Sequence, residues 1–457
     1  MKKIVFKVTL LSLLIGLSTS CEKFLDLKPI DSPTENTFYV DEAGLQAGVI
    51  SIYDALQTNL MYGANFQTVA EIRGDNVLDN NPGAGGGLRY QIESFSETSA
   101  NANVSDCYTG HYKVIYRCNI VLDKAPDITM NEARKKQIIG QALFVRSLSY
   151  FNLVRLYGKV PLVTTVQTTD QARENQRATL DAIYTQIIAD LTIAIGDLPA
   201  SWPAAESGKA TNYAATALLG KVYLYQKKFS SVVSTLQPLV AAINGKTALS
   251  LVPQTTTFPN GIKNSKDVIF AVYYLLGGIG EAADINNRYR NQDNNNTIVL
   301  PQSVFETNDN RKALNAPTGN GLRPGKFNAT ASGNESNGDF PILRCADVML
   351  MYAEALNEVS YPNTEAFASL NAVRTNAGIA DLTTETITNQ AAFRTAVYNE
   401  RRLELSLECD RWFDIVRTGQ MATVNPLVPA YRVLYPIPQV EIDNVSNKTG
   451  WQNEGYN

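Results

Sequence analysis

Apolar residues recur every three or four positions along most of the chain, which is the spacing of one face of an α-helix. The stretch 41–60 shows this clearly, with apolar side chains at Leu45, Val49, Ile52 and Leu56. The same spacing predicts further helices over 105–122, 131–157, 180–198, 213–225, 230–243, 345–358, 364–377 and 389–417. The sequence therefore predicts a mainly α fold.

Two of these predicted helices, 213–225 and 230–243, follow each other across a short turn, which is typical of a tetratricopeptide-like helix pair. Because the repeats are irregularly spaced, the pattern predicts a helical scaffold without a fixed repeat count. Residues 244–340 differ, since short apolar runs such as 268–276 are separated by Gly, Asn, Thr and Pro, which predicts loops with a few short strands. We interpret residues 21–457 as a single domain, with a scaffold over about 41–243 and 341–419 and a loop-rich insert over about 244–340.

A second irregular stretch runs from Glu71 to Val104 and includes the glycine-rich run Asn80–Gly87. No helical or alternating pattern crosses it, so we expect a long loop without a regular interior element. Loops of this length are usually functional or disordered.

The N-terminus carries an export signal. Residues 1–20 combine three lysines with an apolar run over 8–17 and the small residues Ser18–Ser20, directly before Cys21. This order is typical of a bacterial lipoprotein whose Cys21 is lipidated, and the alternative is a plain signal peptide followed by a coincidental cysteine. Removing residues 1–20 takes away three lysines and no acid, so the formal charge changes from -4 to -7, which disfavours nucleic acid as a partner.

Cysteine and histidine usage excludes much enzyme chemistry. Cys107 and Cys118 fall on one predicted helix about 16 Å apart, beyond the reach of a disulfide, so buried thiols are expected. His111 is the only histidine, so a histidine-based zinc site or a Ser-His-Asp triad would depend on one residue. The sequence suggests neither a metal nor a cofactor.

The stretch 397–419 has the densest charge and is open to two interpretations. Glu400, Glu404 and Glu408 could serve as the paired carboxylates of a glycoside hydrolase. Alternatively they form ion pairs with Arg401, Arg402 and Arg411 that hold one helix against its neighbours, with Trp412 and Phe413 buried. We favour the structural interpretation, because an arginine partner lowers a carboxylate pKa and so makes a poor general acid.

Several sequence blocks follow one another along the chain: Cys21–Pro29, Arg117–Asn119, Ala142–Phe151 with Leu156–Gly158 and Val160–Pro161, Ala217–Tyr225, Pro341–Asn357, Leu370–Arg374, Glu400–Leu405 with Arg411–Asp414, and Pro436–Tyr456. Together, and in this order, these blocks resemble the SusD/RagB family of outer-membrane nutrient-binding lipoproteins. The resemblance covers nearly the whole chain. It implies a tetratricopeptide-like helical fold, a lipid anchor that holds the protein on the outer membrane facing outward, and a TonB-dependent, SusC-like transporter barrel as partner. It also implies binding without catalysis, of oligosaccharides in most members and of peptides in some.

Sugar recognition needs aromatic faces for stacking and planar polar side chains that hydrogen-bond adjacent hydroxyls. Long loops on a rigid frame can supply both. The candidate ligand-binding residues are Arg73, Asp75, Asn76, Arg89, Tyr90 and Phe95 in the first loop and Arg288, Tyr289 and Asn291 in the second. Simple packing of these aromatic residues is the competing interpretation. Peptide binding and, less favoured, glycoside hydrolysis stay open as alternative functions.

Overall fold

The structure is a computed structural model that describes residues 35–79, 83–259, 262–263, 265–275, 297–298, 300–316, 325–327, 331–332 and 335–456. The predicted signal peptide and Cys21 lie outside the described residues. The described part is dominated by helices, which confirms the predicted mainly α fold.

The longer helices are α1 (Glu42–Gln57), α2 (Asn65–Glu71), α3 (Leu88–Glu93), α4 (Ala102–Lys124), α5 (Glu132–Tyr157), α6 (Leu180–Asp197), α7 (Asn212–Tyr225), α8 (Phe229–Asn244), α9 (Cys345–Val359), α10 (Thr364–Asn376), α11 (Gln390–Glu404), α12 (Arg411–Arg417) and α13 (Gln439–Asn444). Single turns of α-helix lie at Glu35–Phe38, Thr169–Arg173, Gln254–Thr257, Lys312–Asn315 and Met421–Val424, and 3-10 turns at Ala84–Gly87, Ala125–Asp127, Ala204–Glu206, Gln302–Val304, Gly325–Phe327 and Ala430–Val433. No helix among these described elements has both the length and the apolar character that crossing a membrane requires.

Side-chain caps explain why most predicted helix starts agree with the structure to within a few residues. The side chains of Asn101, Asn131 and Asn389 accept hydrogen bonds from the backbone N–H three residues on, at the starts of α4, α5 and α11. Thr179 and Thr211 do the same for α6 and α7. Each cap satisfies a backbone donor that has no partner within the helix.

The predicted helix over 389–417 is wrong, because the chain leaves the helix after Glu404 and begins α12 only at Arg411. Leu407 and Cys409 between them have φ of 66°, in the left-handed region that interrupts an α-helix. The freed backbone groups find partners elsewhere: both N–H groups donate to the carboxylate of Glu71 at 3.2 and 2.8 Å, and the carbonyl of Glu404 accepts from Gln254 at 2.8 Å. Apolar spacing continues across the break, which is why the sequence predicted one helix.

The strands are short and pair antiparallel. They are β1 (Val77–Leu78), β2 (Val268–Val272), β3 (Thr297–Ile298), β4 (Ala331–Ser332), β5 (Glu335–Ser336) and β6 (Phe340–Arg344), paired as β1–β3, β2–β6 and β4–β5. The predicted strand in the loop-rich region is therefore present as β2, although it ends at Val272. The prediction of a wholly irregular 71–104 loop is wrong, since β1 and α3 lie within it and Val77 is fully buried.

Helices α7 and α8 form the predicted tetratricopeptide-like pair, joined by residues 226–228. The two helices pack tightly at Gly220, where an added Cβ would lie 2.4 Å from Cδ2 of Leu236 on α8. Helices α9 and α10 form a second pair, and α9 packs against α8 as well as α10. Glycine therefore sets how closely the first pair can pack.

The core contains four cysteines and the only histidine of the sequence. Cys107, Cys118, Cys345 and Cys409 are all buried, and no disulfide joins any two of them, as predicted for buried thiols. His111 is fully buried with its ring edge-on to Phe66, and burial lowers its pKa to about 3, so it is a neutral packing residue.

The C-terminal segment closes the core of the N-terminal helices. The N–H of Tyr435 donates to the carbonyl of Leu156 at 2.8 Å, and its hydroxyl donates to the carbonyl of Val69 at 2.7 Å. The amide of Asn453 donates to the carbonyls of Tyr157 and Tyr435 at 2.9 and 2.7 Å.

Candidate functional site

Pairing of β1 with β3 places the first predicted ligand-binding loop beside residues 297–298, which directly follow the second predicted loop in the sequence. Val77 faces Ile298 and Leu78 faces Thr297, so the residues that follow Asn76 lie beside the residues that follow the 286–296 segment. Arg288, Tyr289 and Asn291 themselves lie outside the described residues. We call the surface formed by the described residues of 75–101 and by residues 297–298 the loop face.

The base of the loop face is a buried arginine. Arg73 is 1% exposed and pairs with Glu97, whose side chain is also fully buried. Its guanidinium lies 3.8 Å from the ring centre of Tyr435, and between 4.8 and 5.3 Å from those of Phe95 and Trp412. Such cation–π contacts hold the planar group in place. Arg73 therefore has almost no surface to offer a ligand.

Asp75 and Asn76 tie the same loop to the C-terminal helices. Asp75 accepts two hydrogen bonds from Arg411, at 2.5 and 2.9 Å, and pairs with Arg402 at 3.1 Å. Burial alone would raise the pKa of Asp75, but these arginines lower it. The carbonyl oxygen of the fully buried Asn76 accepts from Arg402 at 2.9 Å. Three of the predicted ligand residues, counting Arg73, thus anchor the loop.

The remaining candidates of the first loop are more accessible. Tyr90 on α3 is 39% exposed, and Arg89 beside it keeps a quarter of its side chain exposed while pairing with the buried Asp79 at 3.3 Å. Phe95 is half-buried, with its ring 5.7 Å from that of Trp412. Arg89 and Tyr90 are therefore the described candidates best placed to contact a ligand.

Two exposed hydroxyls next to Tyr90 were not predicted. The hydroxyl of Ser94 donates to the carbonyl of Tyr90 at 2.6 Å and lies 2.8 Å from the hydroxyl of Ser96. Ser94 is four residues after Tyr90, and residues four apart on a helix lie close together. The sequence would have shown that Ser94 is near Tyr90 if the α3 helix had been predicted.

Beneath the loop face lies an ionic core, made of Asp267, Asp309, Arg311, Lys326, Arg344, Glu400, Glu404 and Glu408. Arg344 donates to Glu408 at 2.7 and 2.8 Å, to Glu404 at 2.9 Å and to Asp267 at 2.7 Å. Arg311 pairs with Glu400 at 2.6 Å and with Glu404 at 3.0 Å. All eight side chains are at least nine-tenths buried.

The ionic core makes Glu404 unsuited to proton donation. Burial alone would raise its pKa, but Arg344 and Arg311 lower it to about 2. Glu400 differs, because burial raises its pKa despite its arginine partners. The predicted partners were wrong, since these glutamates pair with Arg311, Arg344 and Arg374 from distant parts of the chain rather than with Arg401, Arg402 and Arg411. Burial of these glutamates in ion pairs fits the interpretation that the charges of the 397–419 stretch hold the helix against its neighbours.

Arg401 belongs to a second buried cluster that joins the helix pairs. It donates to Asp414 and Asp347, each at 2.8 Å, and Lys221 of α7 pairs with Asp347 at 3.0 Å and with Asp410 at 2.6 Å. Trp412 is fully buried and Phe413 2% exposed, as predicted. Helices α7, α9, α11 and α12 are thereby held together by charged contacts.

Two models of one protein family match successive parts of the chain. One, described as "Starch-binding associating with outer membrane", matches residues 23–224, and the other, described as "SusD family", matches residues 254–427. The SusD-like protein P25 of Formosa agariphila is 24% identical, over 96% of this chain and 97% of that protein. A SusD-like protein of Bacteroides ovatus is 22% identical, over 86% of this chain and 79% of that protein.

Solved structures share the fold. A protein described as a laminarin binding SusD-like protein aligns with a TM-score of 0.77 and 25% identity, over 92% of this chain and 100% of that chain. Surface glycan-binding protein A from Bacteroides thetaiotaomicron aligns with a TM-score of 0.75 and 18% identity, over 92% of this chain and 100% of that chain. SusD-like proteins are binding proteins rather than enzymes, in a family associated with the outer membrane. The chain belongs to the SusD/RagB family.

Proposed function

We propose that this protein is a cell-surface lipoprotein that captures an oligosaccharide on its loop face and delivers it to a SusC-like, TonB-dependent transporter. The observation that carries the binding site is the β1–β3 pairing, which places the first candidate loop beside residues 297–298, directly after the second candidate loop in the sequence. The accessible Tyr90 offers an aromatic face and Arg89 offers planar donors, the two kinds of group that sugar recognition requires.

A rigid base supports this function. Arg73 fixes the first loop to the C-terminal segment through Tyr435, and Asp75 and Asn76 fix it to α12 and α11 through Arg411 and Arg402. Side chains held before the ligand arrives lose less conformational entropy on binding, so more of the contact energy contributes to affinity. The buried candidates thus act as positioning residues for Arg89, Tyr90 and the second loop.

A β-glucan is the first ligand to test, because the laminarin binding SusD-like protein aligns over 92% of this chain at 25% identity. Titration calorimetry would use the full chain carrying Cys21→Ser, which cannot be lipidated. We expect saturable laminarin binding without release of reducing ends. Tyr90→Ala should weaken it about tenfold, since an aromatic contact contributes up to about 1.5 kcal/mol beyond its buried area. Tyr289→Ala should weaken it too.

Two control variants separate binding from stability. Tyr223→Ala removes a partly buried tyrosine of α7 that packs against the core, so it should lower the melting temperature while leaving the affinity nearly unchanged. Phe95→Ala should lower the melting temperature as well as the affinity, because Phe95 contacts Arg73 and Trp412. Unchanged affinity in the Tyr90 and Tyr289 variants would remove the loop face from the site.

Other outcomes would assign another function. Binding of peptides but of no glycan would support the peptide-binding alternative within the family. Time-dependent release of reducing ends, abolished by Glu404→Gln, would support a hydrolase.

The membrane anchor and the transporter are tested in cells. Labelled palmitate should be incorporated by the wild-type chain and not by Cys21→Ser, and intact cells should expose the protein to added protease. A TonB-dependent transporter should co-purify with the wild-type chain. Failure to capture such a transporter under mild detergent would contradict the delivery step while leaving glycan binding intact.

A further inference from the structure

The structure contains a cleft of about 470 Å³ that none of the described loop-face residues lines. Its three walls are one face of α4, the segment 161–175, and the C-terminal segment 441–451. This volume lies within the range of small-molecule sites in proteins, about 300–1,000 Å³.

One wall is a row of tyrosines. Tyr108, Tyr112 and Tyr116 follow each other at intervals of four residues along α4, so they share one face of the helix. The rings of Tyr108 and Tyr112 are 4.9 Å apart, and Tyr116 is 46% exposed. Trp451 lines the cleft as well. Together these rings provide apolar surface suited to the C–H faces of a sugar ring.

Hydrogen bonds between the walls hold the cleft in shape without a ligand. The hydroxyl of Tyr112 donates to the carbonyl of Pro161 at 2.7 Å, joining α4 to the second wall. The N–H of Ser446 donates to the carbonyl of Arg173 at 2.8 Å, and Arg177 donates to the carbonyl of Trp451 at 2.9 Å. These bonds fix the C-terminal wall, so the cleft is pre-formed.

Several polar groups on the lining have no hydrogen-bond or ion-pair partner among the described residues. Trp451 is 3% exposed, yet its indole N–H has no acceptor. Burying such a donor without a partner is unfavourable, and a ligand acceptor would remove this penalty. The side chains of Arg173 and Asn444 are exposed, and that of Glu441 is partly buried, which raises its pKa.

The mixture of these groups selects the class of ligand. Glu441 accepts hydrogen bonds when ionised, Arg173 and the Trp451 indole donate, and Asn444 does both. A cation would leave the donors of Arg173 and Trp451 unused, and an anion would leave the carboxylate of Glu441 unused. Hydroxyl groups both donate and accept, so a polyhydroxylated neutral ligand uses the whole set.

From this arrangement we propose that the cleft is a second carbohydrate site, independent of the loop face, that takes a short neutral saccharide. Tyrosine faces stack on the sugar ring, Glu441 and Asn444 accept from its hydroxyls, and Arg173 and Trp451 donate to them. The protein therefore carries two places where a glycan can be held, and a chain that leaves one can remain attached at the other.

The test measures trisaccharide binding with the loop face disabled. Titration calorimetry at millimolar concentrations would use laminaritriose, maltotriose and xylotriose, with the full Cys21→Ser chain and with a second form that also carries Tyr90→Ala. We expect at least one trisaccharide to bind both forms. Glu441→Gln should weaken this binding about tenfold, the size of effect expected for a hydrogen bond to a charged group.

Two further variants control the interpretation. Asp443→Asn changes an exposed carboxylate on the same helix, α13, and should leave the affinity unchanged. Trp451→Phe keeps a ring but removes the indole N–H, and it should weaken binding while the cleft keeps its tyrosines. If Glu441→Gln melts at a temperature close to that of wild type, its weaker trisaccharide binding is due to the lost contact with the ligand and not to unfolding.

Several results would overturn the second site. Absence of trisaccharide binding once Tyr90 is replaced, or equal affinity in Glu441→Gln and Asp443→Asn, would do so while leaving the loop-face proposal intact. Binding of tetramethylammonium that depends on Glu441, without trisaccharide binding, would assign the cleft to cations. Trisaccharide binding that responds to Glu441 but not to Tyr90 supports the cleft, and the loop face is then judged separately, by the effect of Tyr90→Ala and Tyr289→Ala on laminarin binding.

Discussion

Arg344→Met tests whether the ionic core stabilises the fold. Methionine matches much of the length of the arginine but removes the charge that Glu404, Glu408 and Asp267 share. All three carboxylates are less than 10% exposed and would lose a partner within 2.9 Å. Arg311 and Lys326 remain nearby, so the negative charge is compensated only in part.

The expected loss follows from burial. Removing one partner of a buried ion pair costs about 3–5 kcal/mol, because a charge is left without compensation in a medium of low polarity. The unfolding entropy of about 2.1 cal/mol/K per residue gives about 1 kcal/mol/K for 457 residues. Each kcal/mol therefore lowers the melting temperature by about 1 °C, and Arg344→Met should lower it by about 3–5 °C at pH 7.

The matched control is Arg394→Met on α11. Arg394 makes the same kind of two-pronged contact, donating to Glu358 at 2.6 and 2.7 Å, but its side chain is 34% exposed. Because water screens such a pair, its loss should cost no more than about 1 kcal/mol. Both variants would be compared with wild type by calorimetry or circular dichroism, with laminarin affinity measured alongside.

Lowering the pH should reduce the difference in melting temperature between Arg344→Met and wild type. In wild type the pKa of Glu404 is lowered to about 2, so its contribution to stability is complete above its ordinary pKa of 4.5 and is lost as pH falls from 4.5 to 2. In the variant the uncompensated carboxylates take up protons more readily, which relieves their repulsion as pH falls from 7 towards 5. A stabilising role for the ionic core would be refuted by equal melting temperatures for the two methionine variants. It would also be refuted if the difference in melting temperature between Arg344→Met and wild type did not change with pH.

Two further predictions concern packing and a second carboxylate. Gly220→Ala should destabilise the protein by about 1–2 kcal/mol, because the new Cβ would lie 2.4 Å from a methyl group of Leu236. The control Gly196→Ala in α6 meets nothing within 4 Å and should stabilise the protein by up to about 1 kcal/mol. Urea unfolding should therefore give changes in the free energy of unfolding of opposite sign, and equal changes would contradict the close packing of α7 and α8. Burial raises the pKa of Glu71 from 4.5 to about 7, although two backbone N–H donors act in the opposite direction. The contribution of Glu71 to stability is therefore complete below pH 4.5 and is lost as the pH rises to 7. The melting temperature of wild type relative to Glu71→Gln should therefore fall between pH 4.5 and 7, by the equivalent of at most about 3 kcal/mol, and a constant difference across this range would be inconsistent with a raised pKa.

Apolar spacing predicted the helices well because it reports the buried face of each helix directly. It could not reveal the break between α11 and α12, whose backbone groups are satisfied by Glu71, more than 330 positions earlier in the chain. The same limit applies to the ionic core. The sequence indicated that Glu404 would be paired, but Arg311 and Arg344 reach it only through tertiary packing.

Residue type located the first loop of the candidate site but not the accessibility of its members. Arg73 and Tyr90 are equally plausible sugar contacts from the sequence, yet one is 1% exposed and the other 39% exposed. Burial of Arg73 depends on Glu97 and on Tyr435, which the local sequence around residue 73 does not contain. The placement of the second loop and the division into a single domain stay predictions.

Closure of the N-terminal helices by the C-terminal segment also constrains how the protein folds. The hydroxyl of Tyr435 bonds to a carbonyl 366 positions earlier, and Asn453 bonds to one 296 positions earlier. Contacts between such distant residues form late, because the loop-closure entropy must be overcome first. During synthesis the N-terminal core therefore stays incomplete until the last residues emerge, and a chain that stopped before Tyr435 would expose the Arg73 pocket that this segment closes.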